Sequence, residues 1–411
     1  MGSKPPLYSH NYDLHWAAFL SALLLLGGVL SGRVLAQAGD ADENAAGAGA
    51  SAGSYAEDTP DKDQENKKNV IGAILIAGKF ADAQEQDKLD TYYKTYALPR
   101  WTQLSNLNNL YKFRTKELYS NLRNAKGQVH DHLNDLVLEY MNKLAKSDKY
   151  HPTVRYNAML TIGDLNSVEG AQPTPFGNAL PVLLAAVNEA NQIVPVKIAA
   201  LVGINHHVTA GVSDPQIQNA MLKIAAAPDA AASTDEGREW MRKQAVDILG
   251  LLGNVGADNQ VVKLLSGTVG DAKASFEMRC AAAEALGKLK YANAAALNPV
   301  DLAKSLGQLM LDVCTEELTG DNEAKLDTYE HLRRIKARLV TVIDGLKGIK
   351  PLAKDQPQQA YLNEFQSILD NLFKELDKLD TKNRENLNKE DLQKPVGDCQ
   401  AKLQSWLAKK P

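Results

Sequence analysis

The sequence predicts an all-α chain organised as an α-α superhelix, an array of stacked helix pairs with extra helices capping both ends. Three observations carry that expectation. Beyond Asn69, apolar residues recur with the helical period of about 3.6 almost everywhere, and alternation with period 2 is nearly absent. The composition is visibly rich in alanine and only 6% aromatic, which favours helix over sheet. Four stretches lie over one another in register: "VRYNAMLTIGDL" from Val154, "VKIAALVGINHH" from Val196, "MRKQAVDILGLL" from Met241 and "MRCAAAEALGKL" from Met278.

The chain of 411 residues is long enough for two or three domains or one extended array. At 44% apolar and 23% charged, it has the balance of an ordinary soluble protein. A formal charge of −4 supplies no basic field, so the sequence argues against a nucleic-acid partner. Cys280, Cys314 and Cys399 are odd in number, far apart and without a CxxC, so neither a disulfide framework nor a zinc cluster is readable and at most one pair forms. Cys280 lies in an alanine-rich helical pattern and reads as a small buried hydrophobe.

Residues 1–38 hold an uncharged apolar run, "WAAFLSALLLLGGVL" at 16–30, with Lys4 before it and Ala36-Gln37-Ala38 after it. That is the layout of a secretory signal, since a helix of that length rises about 22 Å against a hydrocarbon core of roughly 30 Å. An uncleaved N-terminal anchor is the rival reading. Either places the protein outside the cytoplasm, in the periplasm or cell envelope, with a membrane attachment only through 16–30. Residues 39–69 then read as a disordered acidic tether: from Gln37 to Lys68 eight acids face three lysines among Ala, Gly and Ser.

Residues 70–127 read as an N-terminal helical cap. "VIGAILIAG" is the one run that passes for a strand, and helices are expected near 82–97 and 105–124. Tyr92, Tyr93, Tyr96, Trp101 and Tyr111 concentrate here, as the core of a capping bundle or as a peptide-binding aromatic patch.

Residues 128–326 carry the repeats, with helices expected near 128–146, 152–166, 178–191, 195–210, 214–227, 235–252, 258–268, 275–290 and 299–318. The template opens on a basic residue: Arg155, Lys197, Arg242 and Arg279. Three positions on stand Ala158, Ala200, Ala245 and Ala282; seven on, Ile162, Ile204, Leu249 and Leu286; eight on, Gly163, Asn205, Gly250 and Gly287. The basic residues are 42, 45 and 37 residues apart, with another helical segment in each interval. Offsets three, four and seven share one helical face, and the small residues let helix backbones approach closely. Helix pairs at this spacing mark a solenoid.

In these residues the chain resembles the HEAT-repeat (armadillo-like) family, and it is similar to uncharacterised bacterial exported HEAT-repeat proteins. It departs from the pattern at Asn205 and at the long insertion around "SVEGAQPTPFG". The resemblance implies that Arg155, Lys197, Arg242 and Arg279 form an inter-repeat ladder, each paired with an acidic residue of an adjoining repeat. It also implies that the second helices line a concave binding side. Offsets two, five and nine lie opposite the apolar stripe and present Asn157, Leu160 and Asp164; Ala199, Val202 and His206; Gln244, Asp247 and Leu251; Ala281, Glu284 and Lys288. The polar members, Asn157, Asp164, His206, Gln244, Asp247, Glu284 and Lys288, are the candidate face for a protein or peptide partner; a merely solvated face is the bland alternative.

Residues 327–411 read as a C-terminal extension of three amphipathic helices, with Leu362, Phe365, Ile368, Leu369, Leu372 and Phe373 forming one stripe. Catalytic chemistry has no foothold: the sequence contains no nucleophile elbow, P-loop, zincin or dinucleotide motif. Cys314 and His331 have no cue joining them. His130-Asp131-His132 and His206-His207 are spaced so that neither pair chelates from one helix. "DTKNRENLNKEDL" from Asp380 echoes a calcium loop, but Lys382, Arg384 and Glu385 stand where ligands and the turn glycine belong. The expectation is a non-catalytic exported scaffold without metal or cofactor. A structural envelope protein and an accessory subunit of an enzyme are the alternatives.

Overall fold

The computed structural model describes residues 55–227, 236–294, 297–319, 327–381 and 387–409. They belong to the second of the two units into which the chain divides, Tyr55–Pro411. The segment at 16–30 expected to serve export, the expected tether as far as Ser54, and positions 382–386 of the calcium-like stretch lie outside the described residues.

Among the described residues the fold is all-α apart from one short hairpin. The first helix, α1 (Lys68–Ala77), takes up the run that passes for a strand. Its buried residues are Ile71, Ile74 and Leu75, a spacing that one helical face satisfies and a strand would divide between two. Helix α2 (Ala83–Tyr92) opens on Asp82, whose side chain accepts from Glu85 N, and passes into a π-helical turn, Tyr93–Ala97. After 3-10 turns at Pro99–Thr102 and Leu104–Asn109, α3 (Leu110–Lys112) leads through a second π-helical turn, Phe113–Leu118, into α4 (Tyr119–Asn124). Tyr92, Tyr93, Tyr96 and Trp101 are buried and form the core of this region, not a surface patch; Tyr111 is exposed. The Arg100 guanidinium lies over the Tyr96 and Phe113 rings, at 4.8 and 4.6 Å.

The acidic tether ends earlier than its composition implies. Asp58 Oδ2 accepts from the Tyr140 hydroxyl at 2.9 Å, Oδ1 accepts from the Tyr150 hydroxyl at 3.0 Å, and the Asp58 N–H donates to Thr102 Oγ1 at 2.7 Å. A segment with too little apolar surface to fold alone is held by charge-assisted hydrogen bonds to partners distant in sequence.

The chain then runs as helix pairs: α5 (Gly127–Lys146) with α6 (Pro152–Gly163), α7 (Ala179–Asn188) with α8 (Val194–Thr209), α9 (Pro215–Ala225) with α10 (Glu236–Leu252), α11 (Gln260–Gly270) with α12 (Phe276–Lys288), and α13 (Pro299–Thr319) with α14 (Thr328–Ile349). Each pair packs internally. The second helices also pack in series, α6 on α8, α8 on α10, α10 on α12 and α12 on α14. The series therefore runs past residue 326, and α14 packs on both α12 and the helix that follows it. Between α6 and α7 the long insertion forms an antiparallel hairpin, β1 (Asn166–Val168) with β2 (Thr174–Pro175), too short to show as alternation in the sequence. Two further helices, α15 (Gln356–Asp380) and α16 (Lys389–Leu407), close the end. There the Trp406 ring stacks on Phe365 and Tyr361 at centroid distances of 4.4 and 4.5 Å.

Side chains at offsets three, four and seven of the four template helices are all at most 1% exposed. Small residues set the closest approaches between the second helices. A Cβ added to Gly163 would come 2.7 Å from Gly203 Cα, and one on Gly250 would come 2.9 Å from Ala285 Cα. A Cβ on Gly287 would strike the Asp344 carbonyl. Gly267 of α11, by contrast, has nothing within 4 Å of such an atom. Gly287→Ala is therefore expected to destabilise by about 1–3 kcal/mol through overpacking, whereas Gly267→Ala stabilises by about 0.5–1 kcal/mol through helix propensity. Urea unfolding followed by circular dichroism reads both signs, and a neutral or stabilising G287A would contradict the contact.

Candidate functional site

A basic side chain near a helix N-terminus opposes the dipole of its own helix. The structure gives three of the four template residues a helix C-terminus instead. Arg155 Nε donates to Ala145 O at the end of α5, at 3.2 Å, and Nη2 donates to Gln192 Oε1 at 2.6 Å. Gln192 Oε1 also accepts from Ile193 N, just before α8, so one guanidinium ties the first helix of its pair to the start of the next second helix. Arg279 repeats the arrangement, with Nε on Val269 O of α11 at 2.9 Å and Nη2 on Asp312 Oδ2 of α13 at 2.6 Å. Arg242 Nε reaches Ala225 O of α9 at 3.5 Å. Lys197 is half-buried, and desolvation pulls its ammonium below the usual lysine range against the opposing charge of Glu189.

The sequence template missed a fifth member. Gly203 and Ala285, the residues met by Gly163 and Gly250, both stand six places after a template basic residue. Asp344, met by Gly287, stands six places after Arg338. Arg338 is ion-paired with Glu316 of α13, and its guanidinium lies over the Phe276 ring at 4.4 Å. Arg279 faces the same ring at 5.5 Å. Thr341 stands where the template has alanine, Gly345 where it has Ile or Leu and Leu346 where it has Gly or Asn, which hides the copy from sequence comparison.

The candidate face resolves into two charged clusters. In the first, Arg114 Nη1 pairs with Asp164 Oδ2 at 2.5 Å, and the His206 Nδ1 lies 3.0 Å from Gly163 O. Burial raises the Asp164 carboxyl above the usual carboxylate range, although Arg114 and His206 pull it down. In the second, Lys243 pairs with Asp247 at 3.0 Å on α10, and Lys288 pairs with Glu284 at 2.7 Å on α12. Burial raises Asp247 too, and Glu284 and Lys288 act on it across the helix boundary. Asn157 and Gln244 join neither cluster by a described contact; Asn157 Nδ2 donates back to Thr153 O at 2.9 Å. Ala199 and Ala281 are buried beneath neighbouring helices, so the expected columns are interrupted there, while Leu251 is exposed. Arg114 and Lys243 are additions to the face; Lys243 follows from its i,i+4 spacing to Asp247, whereas offset counting could not supply Arg114, which comes from a distant turn.

No family model matches this sequence, and no curated protein does. The geometry therefore carries the functional reading by itself.

The histidines are dispersed among separate partners. His132 Nε2 lies 2.6 Å from Asp90 Oδ1. The His130 ring faces Asn134 Nδ2 at 3.3 Å, and the Glu169 carboxylate of the insertion, 4.0 Å from its Nε2, raises its pKa against the cost of burial. His331 Nδ1 pairs with Glu317 at 2.7 Å. Among the described residues, no three His, Cys, Asp or Glu side chains are arranged to hold a metal ion. The His206 and His207 rings diverge, with centroids 6.3 Å apart.

His207 is 1% exposed. Burial, reinforced by His206, pushes its pKa down from 6.5 to about 4. Protonation thus favours the unfolded chain, so the contribution is intact above pH 6.5 and is lost as pH falls from there toward about 4, by roughly 3 kcal/mol in all. His207→Leu is expected to flatten that part of the acid profile. Urea midpoints of both proteins at about pH 7 and about pH 4.5 measure the difference, and an unchanged profile would contradict the assignment.

Proposed function

We propose that the chain is a non-catalytic, exported HEAT-like α-solenoid that binds a protein or peptide partner on the face formed by its second helices. The carrying observation is the serial packing of α6, α8, α10, α12 and α14. It supports the reading because it sets charged side chains of adjacent helix pairs side by side, Asp164 beside His206 and Asp247 beside Glu284 and Lys288. An extended surface built from successive helix pairs suits a long partner better than a small molecule. The mixed signs of the clusters suit a polar peptide surface and not a polyanion. In this proposal the periplasm or cell envelope is the setting, and residues 16–30 supply the export signal or tether.

The test is affinity capture by the tagged full chain from an extract of its own cell envelope, beside a variant carrying Asn157→Lys, Gln244→Lys and Glu284→Lys. The expected result is a protein retained by the wild type and bound at least about tenfold more weakly by the variant, because three added cations alter the charge pattern of the face. Retention at unchanged affinity, by a variant with the wild-type circular dichroism spectrum and melting temperature, would move binding to another surface. An empty wild-type lane would count against the scaffold reading and for a purely structural role.

A further inference from the structure

The C-terminal helix α16 packs on α13, and two contacts fix their register. Gly307 of α13 lies against the Trp406 ring. Eight residues later in α13, Thr315 Oγ1 accepts from Gln400 Nε2 at 3.0 Å, six residues earlier in α16. The helices therefore run antiparallel. The residue before Thr315 is Cys314, and the residue before Gln400 is Cys399; each stands two helical turns from the Gly307–Trp406 contact on its own helix, so the register sets the two thiols opposite one another. Both are buried, at 0% and 3% exposure, and both are free. Cys280 sits on α12, outside this pair of helices.

We propose that Cys314 and Cys399 are a disulfide-forming pair that staples α16 to α13. A cleft of about 280 Å³ between α15 and α16 is lined by Ile368, Leu372, Leu379, Lys394 and Cys399, which makes Cys399 the thiol that an oxidant meets first. Pro395 lies in the same wall, and because it lacks an N–H it removes one backbone hydrogen bond from the α16 ladder beside Cys399. The oxidant is a disulfide, either a small molecule or the active-site disulfide of a thiol oxidase. The Cys399 thiolate attacks one of its sulfurs, forming a mixed disulfide and releasing the first thiol. Cys314 then attacks Cys399 Sγ, closing the intramolecular S–S bond and releasing the second thiol. Two electrons pass to the oxidant, and the two protons end on the released thiols. The neighbouring Cys399 sulfur, and then burial, raise the Cys314 thiol pKa while α16 is docked, so the second step belongs to folding or to fraying of the last helix. An oxidising compartment, where disulfides form and persist, supplies the conditions.

The test is to unfold and reduce the full chain, refold it with a mixture of reduced and oxidised glutathione, block remaining thiols, and map disulfide-linked peptides. The expected product has lost two hydrogens, links Cys314 to Cys399 and leaves Cys280 alkylated. Its melting temperature falls by roughly 5 °C on reduction, whereas that of Cys399→Ser does not respond to reductant. Cys280→Ala should still cross-link, which guards against an effect of misfolding in the serine variant. Recovery of all three cysteines alkylated from folded protein, or a cross-link through Cys280, would overturn the pairing.

Discussion

Backbone approach between second helices is the constraint on which the packing depends. Successive second helices approach until a single Cβ has no room, at Gly163 against Gly203, Gly250 against Ala285 and Gly287 against Asp344. Much else follows from that approach. Helices this close cannot place long side chains at the crossing, so alanine fills offset three and the larger Met159, Leu201, Val246 and Ile162 pack on either side. The first helices have to cover the remaining apolar surface, and their C-termini then lie beside the second-helix N-termini.

That placement gives the basic residues their role. Burying a guanidinium is costly unless its donors are met, and Arg155 and Arg279 are 7% and 3% exposed. The last-turn carbonyls of α5 and α11 meet one donor of each, carrying the partial negative charge of a helix C-terminus. The second contact varies. It is a neutral Gln192 for Arg155 and a carboxylate, Asp312, for Arg279. A ladder made of arginine and acid alone would leave out the backbone carbonyls that recur in three of the copies.

Sequence patterning revealed most of the helices, because helical periodicity is local: α5, α8, α10 and α12 begin and end within two residues of expectation. The template also revealed which residues lie buried, since a helix face follows from spacing alone. It failed where the deciding contact is distant or the pattern degenerate. "VIGAILIAG" is apolar on every side and so carries no period to distinguish helix from strand. Asp58 looks like tether until Tyr140 and Tyr150 are brought to it. Arg338 is hidden by Thr341, Gly345 and Leu346, and Arg114 reaches Asp164 from 50 residues away. The proposed binding face was legible as single positions, and the i,i+4 pairs Lys243–Asp247 and Glu284–Lys288 follow from spacing, but the grouping of these positions across helices was not legible, because it depends on how two helices cross. The cysteines show the same limit, since the register that brings Cys314 to Cys399 is set by Gly307, Trp406, Thr315 and Gln400 together.

The claim on which this account rests is that second helices touch through their backbones, and a double-mutant cycle at Gly163 and Gly203 tests it most directly. Gly163→Ala, Gly203→Ala and the double variant would be unfolded in urea beside the wild type. If the two glycines share one crossing, the first added methyl forces the helices apart and the second enters space already opened. The double variant should then lose less stability than the two single changes together, with a coupling of about 1 kcal/mol or more. Additivity within about 0.5 kcal/mol would mean that the two residues do not meet, and would contradict the packing of α6 on α8.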